Sequence, residues 1–219
     1  MKSQVKHSAA DVAVTDLARE AAAFGISIPT DARQRFQVYL DTLLLWRSRL
    51  SLTAASSAQQ IIHRHILDSF AIVRFVKAGS CVADIGSGAG FPGIPVAIVC
   101  PAARVVLIES RRKRANFLRE VVRKIELANV EVLDQRAESL GPGHRCSFDL
   151  VVSRALGSVV EFLALAAPLL KPSALAVAMK GPRAFSEVAT ATTAFAGPEV
   201  RRYPLPGDIR RVLLVYRRL

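Results

Sequence analysis

The chain has 219 residues, 51% of them hydrophobic, which suits one large domain or one domain with a modest extra lobe and excludes wholesale disorder. With 30 basic against 18 acidic residues the net charge is +12, a balance that favours a polyanionic partner through long-range attraction and counterion release. Met1–Ala78, Gly79–Lys180 and Gly181–Leu219 carry 10/6, 13/9 and 7/3 basic/acidic residues, so each part is net +4 and any positive surface has to be assembled by folding. Cys81, Cys100 and Cys146 are far apart and form no CxxC pair, so they read as buried small hydrophobes in a reducing compartment, with no metal. Asp11, Asp16 and Glu20 break any leader-like apolar run, and Glu161 and Pro168 interrupt the most apolar stretch, Ala155–Leu170. A cytoplasmic location is the expectation, with no membrane contact.

The first 78 residues read as a helical lobe. Phe36, Leu40, Leu43 and Leu44 recur at helical spacing with Trp46 beyond them, and Asp31, after Pro29-Thr30, is placed to cap that helix. A second helix is expected over Ala58–Val76, where Ile62, Ile66, Phe70 and Val73 share a face. From residue 79 the pattern changes. Short apolar runs at Cys81–Ile85, Arg104–Ile108, Val130–Leu133, Leu150–Ser153 and Leu175–Met179 predict buried strands, with helices at Pro92–Val99, Arg111–Leu127 and Ser158–Leu169 between them. Such alternation implies right-handed crossovers and a mostly parallel α/β sheet with helices on both faces, a Rossmann-like domain over 79–219. Val212–Tyr216 predicts an antiparallel edge strand.

The most informative stretch is Asp84-Ile85-Gly86-Ser87-Gly88-Ala89-Gly90-Phe91-Pro92-Gly93, which follows the first strand and opens a helix. Glycines admit close backbone approach and positive φ, and the helix N-terminus offers free amides. Gly88-x-Gly90-x-x-Gly93 fits the dinucleotide fingerprint. With Asp84 two residues before Gly86, the stretch instead resembles motif I of S-adenosylmethionine methyltransferases, acidic-x-Gly-x-Gly-x-Gly, and that resemblance implies a carboxylate that accepts, directly or through water, from the ligand's ammonium. Glu109 closes the second strand, where a carboxylate can accept from both ribose hydroxyls, a device common to both ligands. Arg111-Arg112-Lys113-Arg114 opens a helix against its macrodipole, which hints at a partner.

Asp84–Gly93, together with Leu107-Ile108-Glu109-Ser110, Lys113-Arg114, Phe117-Leu118, Arg136-Ala137-Glu138, Phe148-Asp149, Ser153-Arg154-Ala155 and Lys180-Gly181, resembles the RsmG (GidB) family. Its members are bacterial small-subunit rRNA guanine-N7 methyltransferases with a class I methyltransferase fold. Leu52-Thr53 and His65-Ile66-Leu67-Asp68-Ser69 extend the likeness upstream. The resemblance implies S-adenosylmethionine as cofactor and ribosomal RNA, or the small ribosomal subunit, as partner. It places Gly86, Gly88, Gly90 and Phe91 in the cofactor loop, Ala137 and Glu138 beside the adenine, and Arg154 on the methionine side bordering the substrate. The family often has asparagine where this chain has Arg47 and Ser51, and glycines where it has Ser173 and Ala174; the latter reads as a change of turn only. His65, Asp68 and Ser69 invite a triad, but with no nucleophile elbow they read as helix capping or packing.

The implied chemistry needs little from side chains. Guanine N7 carries an in-plane lone pair and no proton, so attack on a sulfonium methyl needs no general base, and catalysis comes from alignment and electrostatics. Arg136, Arg154 and Lys180 are expected to grip phosphates and orient the guanine edge. Ser153-Arg154-Ala155-Leu156 lacks the Pro-Pro-aromatic motif usual for exocyclic-amine methylation. A non-catalytic RNA-binding assembly factor and an NAD-dependent oxidoreductase are the alternative readings.

Overall fold

The computed structural model describes residues 9–154, 156–182 and 193–219, so Ala155, within one of the resembling motifs, lies outside the described residues. Helices α1 (Ala9–Ala21) and α2 (Thr30–Leu50) come first, followed by α3 (Ala58–Ile61) and α4 (Leu67–Phe70). In α2 the fully buried Phe36, Tyr39, Leu40 and Leu43 form the i, i+3, i+4, i+7 stripe that an amphipathic helix turns to a core. Asp31 does not cap it: Pro29 holds the N-cap position with extended backbone, and Asp31 sits inside the first turn, where its charge still complements the helix dipole. The helix expected over Ala58–Val76 is broken. A π-helical segment, Ile62–Ile66, joins α3 to α4, and a separate 3-10 turn follows at Val73–Phe75. The wider turn keeps Ile62, Ile66 and Phe70 buried while shifting the residues between them round the helix.

Among the described residues one sheet has seven strands in the order β3-β2-β1-β4-β5-β7-β6. They are β1 (Cys81–Ile85), β2 (Arg104–Ile108), β3 (Val130–Leu133), β4 (Phe148–Arg154), β5 (Leu170–Lys180), β6 (Phe195–Leu205) and β7 (Ile209–Arg218). The first five pair in parallel and β7 is antiparallel to both neighbours. Helices α5 (Gly93–Val99), α6 (Arg112–Lys124) and α7 (Val159–Ala166) cross between parallel strands. The strand predicted at Val212–Tyr216 exists and is antiparallel, but it is not the edge. β6, whose pattern is broken by Gly197, Pro198 and several charged or polar positions, covers it.

Period-2 alternation divides the sheet into two cores. Val82, Leu107, Val152, Val177, Met179 and Val215 face one side, together with α5, α6 and the N-terminal helices. Ala83, Ile85, Val106, Val151, Ala178 and Leu214 face the other, under α7. The first core runs without interruption from Leu17 and Phe36 to Leu107 and Leu213, so the N-terminal lobe is packed onto the sheet. Capping of α7 is reciprocal: the Ser158 hydroxyl accepts from the Glu161 amide, and the Glu161 carboxylate accepts from the Ser158 amide. No cysteine is fully buried; Cys81 and Cys100 are partly covered and Cys146 is exposed, which corrects the expectation of buried thiols. Among the described residues no helix is long and apolar enough to cross a membrane.

Candidate active site

The site is built where β1, β2 and β4 end. Gly86 and Ser87 both donate their amides to the Ile108 carbonyl, at 2.8 and 3.2 Å, which ties the turn after β1 to the end of β2. The turn needs glycine: Gly86, Gly88 and Gly90 have φ of 75°, 57° and 100°. At Gly93 the constraint is space, since a Cβ there would run into Leu107 and lie 2.9 Å from Asp84 Oδ2. The Tyr39 hydroxyl, carried under the turn by α2, donates to the Ala89 carbonyl at 2.8 Å. Burial pushes this phenol well above its ordinary pKa, so it remains a donor.

Asp84 lies beneath the turn and is fully buried. Its Oδ2 accepts from the Gly93 amide at 3.0 Å, while Oδ1 is buried with no partner among the described residues. Burial raises its pKa from 3.8 to about 7, against the lowering effect of the Gly93 amide. Glu109 is also buried and holds the loop in two places, accepting from Gly88 N at 2.9 Å and Arg111 N at 2.8 Å. Three of the expected loop residues, Gly86, Gly88 and Gly90, thus share one turn with both expected carboxylates bound to it.

Phe91 is buried as well, and its ring is a support for other side chains. Tyr39 lies 5.6 Å from it, His65 stacks on it at 4.9 Å, and the Arg154 guanidinium sits 5.1 Å over it. Arg154 Nη1 donates to His65 Nδ1 at 2.7 Å. Since guanidinium can only donate, Nδ1 is the acceptor, the proton is on Nε2, and Nε2 donates to Thr53 Oγ1 at 2.8 Å. Desolvation first, then the positive charges of Arg154 and Arg211, lower the His65 pKa to about 3, so the ring is neutral.

Asp68 is the second hub. It is 1% exposed and accepts from the Tyr203 hydroxyl at 2.6 Å, with Arg154 and Arg211 at 3.4 and 3.5 Å. One carboxylate of the helical lobe therefore joins β4, β6 and β7. A cavity of about 290 Å³ opens here, lined by His65, Asp68, Arg154, Met179, Lys180 and Arg211, with Gly181. Lys180 Nζ donates to the Gly157 carbonyl at 2.6 Å and holds the loop after β4. Arg136 and Glu138 are exposed on the turn after β3, with Ala137 buried between them. Arg154 and Lys180 thus meet at one cavity, whereas Arg136 stands outside it, on the β3 side of the glycine turn.

The sequence reads His65 and Asp68 as packing residues, and the structure gives that packing a target: both hold Arg154. Helical spacing puts them on one face, and the His-Ile-Leu-Asp-Ser motif marks them. Tyr39, Tyr203 and Arg211 carry no such signal. Ser51 and Ser173 sit at φ of 47° and 62°, the left-handed region that asparagine and glycine tolerate best. That accounts for the family's usual residues there and makes Ser173 more than a neutral change of turn.

This sheet order with a glycine turn after β1 defines a class I methyltransferase fold. M. jannaschii TYW2 in complex with AdoMet matches with TM-score 0.56 at 16% identity, over 71% of this chain and 76% of that one. An Agrobacterium tumefaciens protein described as a predicted O-methyltransferase matches with TM-score 0.55 at 21% identity, over 67% and 79%. The family described as rRNA small subunit methyltransferase G matches residues 32–208. Proteins named ribosomal RNA small subunit methyltransferase G are 37% identical in Azoarcus sp. (strain BH72), over 92% of this chain and 95% of the relative, and 35% identical in Geobacter sp. (strain M21), over 92% and 96%. The chain belongs to the rRNA small subunit methyltransferase G family.

Proposed function

We infer that the protein transfers the methyl group of S-adenosylmethionine to N7 of a guanine in small-subunit ribosomal RNA, in the cytoplasm. The observation that carries the cofactor reading is Asp84 Oδ1, a buried carboxylate oxygen with no partner among the described residues, beneath a glycine turn. A ligand with an ammonium group and no pyrophosphate fits that acceptor; a dinucleotide phosphate would be repelled by it. Asp84 and the amides of Gly86, Gly88 and Gly90 would hold the amino-acid end, Glu109 the ribose, and Ala137 and Glu138 the adenine. Phe91 and Arg154 would close the methionine side. When bound, the cofactor supplies an electrophilic methyl on a sulfonium.

The chain's own residues then align and stabilise. Neutral His65 accepts from Arg154 and, with Asp68 and the Phe91 face, holds the guanidinium in one orientation at the cavity. From there Arg154 can donate to the guanine carbonyl, and Lys180 keeps the loop beyond β4 in place. Arg136 is assigned to backbone phosphate on the opposite side of the turn. None of these groups takes a proton, because N7 has none to lose. The helical lobe, residues 1–78, would contribute the anchors His65 and Asp68, and residues 79–219 the methyl-donor site together with Arg154 and Lys180. Calorimetry with S-adenosylmethionine and NAD separates the two cofactor readings. Transfer of labelled methyl to small-subunit RNA from cells lacking the protein is the expected result; binding of NAD alone, or no transfer to any ribosomal RNA or particle, would reject the reading.

A further inference from the structure

Three cavities beside the β6–β7 hairpin share lining residues. The first, about 450 Å³, lies between Phe24, Phe70 and Arg74 of the helical lobe and Arg201, Arg202 and Tyr203 of β6. The second, about 320 Å³, shares Arg202, Tyr203 and Pro204 with the first and adds Arg210 and Arg211. The third is the cavity at Arg154 and Lys180, which shares Arg211 with the second. The shared residues chain the three from the methyl-transfer edge to Arg74 as a groove that wraps the sheet edge, with Arg201 and Arg211 on the face of Leu213 and Arg202 and Arg210 on the face of Val212.

Its charged lining residues are cationic with one exception. Arg74, Arg201, Arg202, Arg210, Arg211 and Lys180 follow one another beyond Arg154, and Asp68 is the sole acidic residue among the described lining residues. Asp68 is buried and already shared by Arg154 and Arg211, so it offers no negative surface. Glu199, beside the groove, is 2.6 Å from Arg201, whose guanidinium also lies 5.2 Å over the Phe75 ring. Arg74, Arg202 and Arg210 are exposed. Arg74 comes from the first part of the chain, Lys180 from the second and the other four from the third, so folding brings the set together. Clustering like charges costs self-repulsion, which a polyanion removes. Arginine predominates over lysine, and its planar fork matches phosphate oxygens in pairs.

We propose that this groove binds the phosphodiester backbone of the RNA substrate, holding the strand that flanks the nucleotide presented at Arg154. The proposal rests on the RNA methyltransferase reading, because it is the continuity with that site that selects RNA over an acidic protein surface. The edge hairpin thereby serves affinity and register, with no part in sequence readout.

The test is the triple variant Arg74→Gln/Arg202→Gln/Arg210→Gln, with the matching triple lysine variant as control. Binding to protein-free small-subunit RNA is measured by fluorescence anisotropy across a salt series. Three lost phosphate contacts reduce the slope of log K against log salt by about 2 to 3, so wild type loses roughly 20- to 40-fold more affinity than the glutamine variant between 50 and 200 mM salt. The lysine variant retains the wild-type slope, and calorimetry gives the same affinity for S-adenosylmethionine in all three proteins. An unchanged slope in a folded glutamine variant overturns the groove while leaving the methyltransferase reading intact. Weakened binding to assembled subunits with unchanged binding to naked RNA also overturns it, in favour of an acidic protein partner. If wild type neither binds nor methylates RNA, the function on which the groove rests has failed too.

Discussion

Replacing Asp84 by asparagine gives an isosteric side chain whose carbonyl can still accept from the Gly93 amide, with the amide NH2 where the unpartnered oxygen was. The wild-type carboxyl titrates near 7 in the folded chain and near 3.8 in the unfolded one. Between those values the native state holds a proton that the unfolded state has lost, so stability falls as pH rises, by about 1.4 kcal/mol per unit. The whole interval of roughly 3 units corresponds to about 4 kcal/mol, fully lost above pH 7. The asparagine variant has no such titration. It carries a constant cost of about 1–3 kcal/mol for an unpaired buried donor. Urea denaturation at several pH values from 4 to 8 should therefore show Asp84→Asn less stable than wild type at the acid end and level or more stable at the alkaline end. The difference between the two proteins should move by about 4 kcal/mol across the range. A difference that stays constant with pH would refute the argument that this carboxyl is buried without a compensating charge. Wild-type affinity for S-adenosylmethionine is also expected to rise between pH 6 and 8, since the ammonium pairs with the ionised form, and that rise should vanish in the asparagine variant.

Gly93→Ala places a methyl against Leu107 and Asp84, and overpacking should cost about 1–3 kcal/mol in denaturant titrations, with S-adenosylmethionine binding weakened at the same time. His65→Ala removes the acceptor and stacking partner of Arg154; kcat should fall by about tenfold to a hundredfold with the S-adenosylmethionine Kd little changed, because orientation at the cavity is lost and the glycine turn is not. Ser173→Gly relieves a left-handed backbone of its Cβ penalty and should raise stability by up to about 1 kcal/mol, read from the urea midpoint.

The sheet was legible because its central strands are covered on both faces and so must be nearly all apolar. Cys81–Ile85 and Arg104–Ile108 were readable to the residue for that reason. β6 was not, since an edge strand has one face to bury and this one carries Gly197, Pro198 and two adjacent arginines. The break at Ile62–Ile66 was invisible for a different reason: a π-helical segment keeps roughly the helical spacing of apolar residues while rotating what lies between. In the site, Asp84, Glu109 and the glycines were readable because strand, turn and helix meet within one local segment. Arg154 was readable as a residue but its anchoring was not. His65 and Asp68 reach it from the helical lobe, Asp68 is held in turn by Tyr203 of β6 and Arg211 of β7, and no local pattern records a contact such as Tyr203–Asp68, between residues 135 positions apart. Pairing of that kind is visible only once β7 has brought the end of the chain back beside β5.

Nucleoside mass spectrometry tests the central claim most directly. Small-subunit RNA lacking the modification is incubated with the protein and S-adenosylmethionine bearing a deuterated methyl, digested, and mapped to single nucleotides. The predicted result is one labelled 7-methylguanosine at one position, lost in Arg154→Ala and dependent on an intact glycine turn. Label on another base or another atom of guanine, or none on any ribosomal RNA, would contradict it.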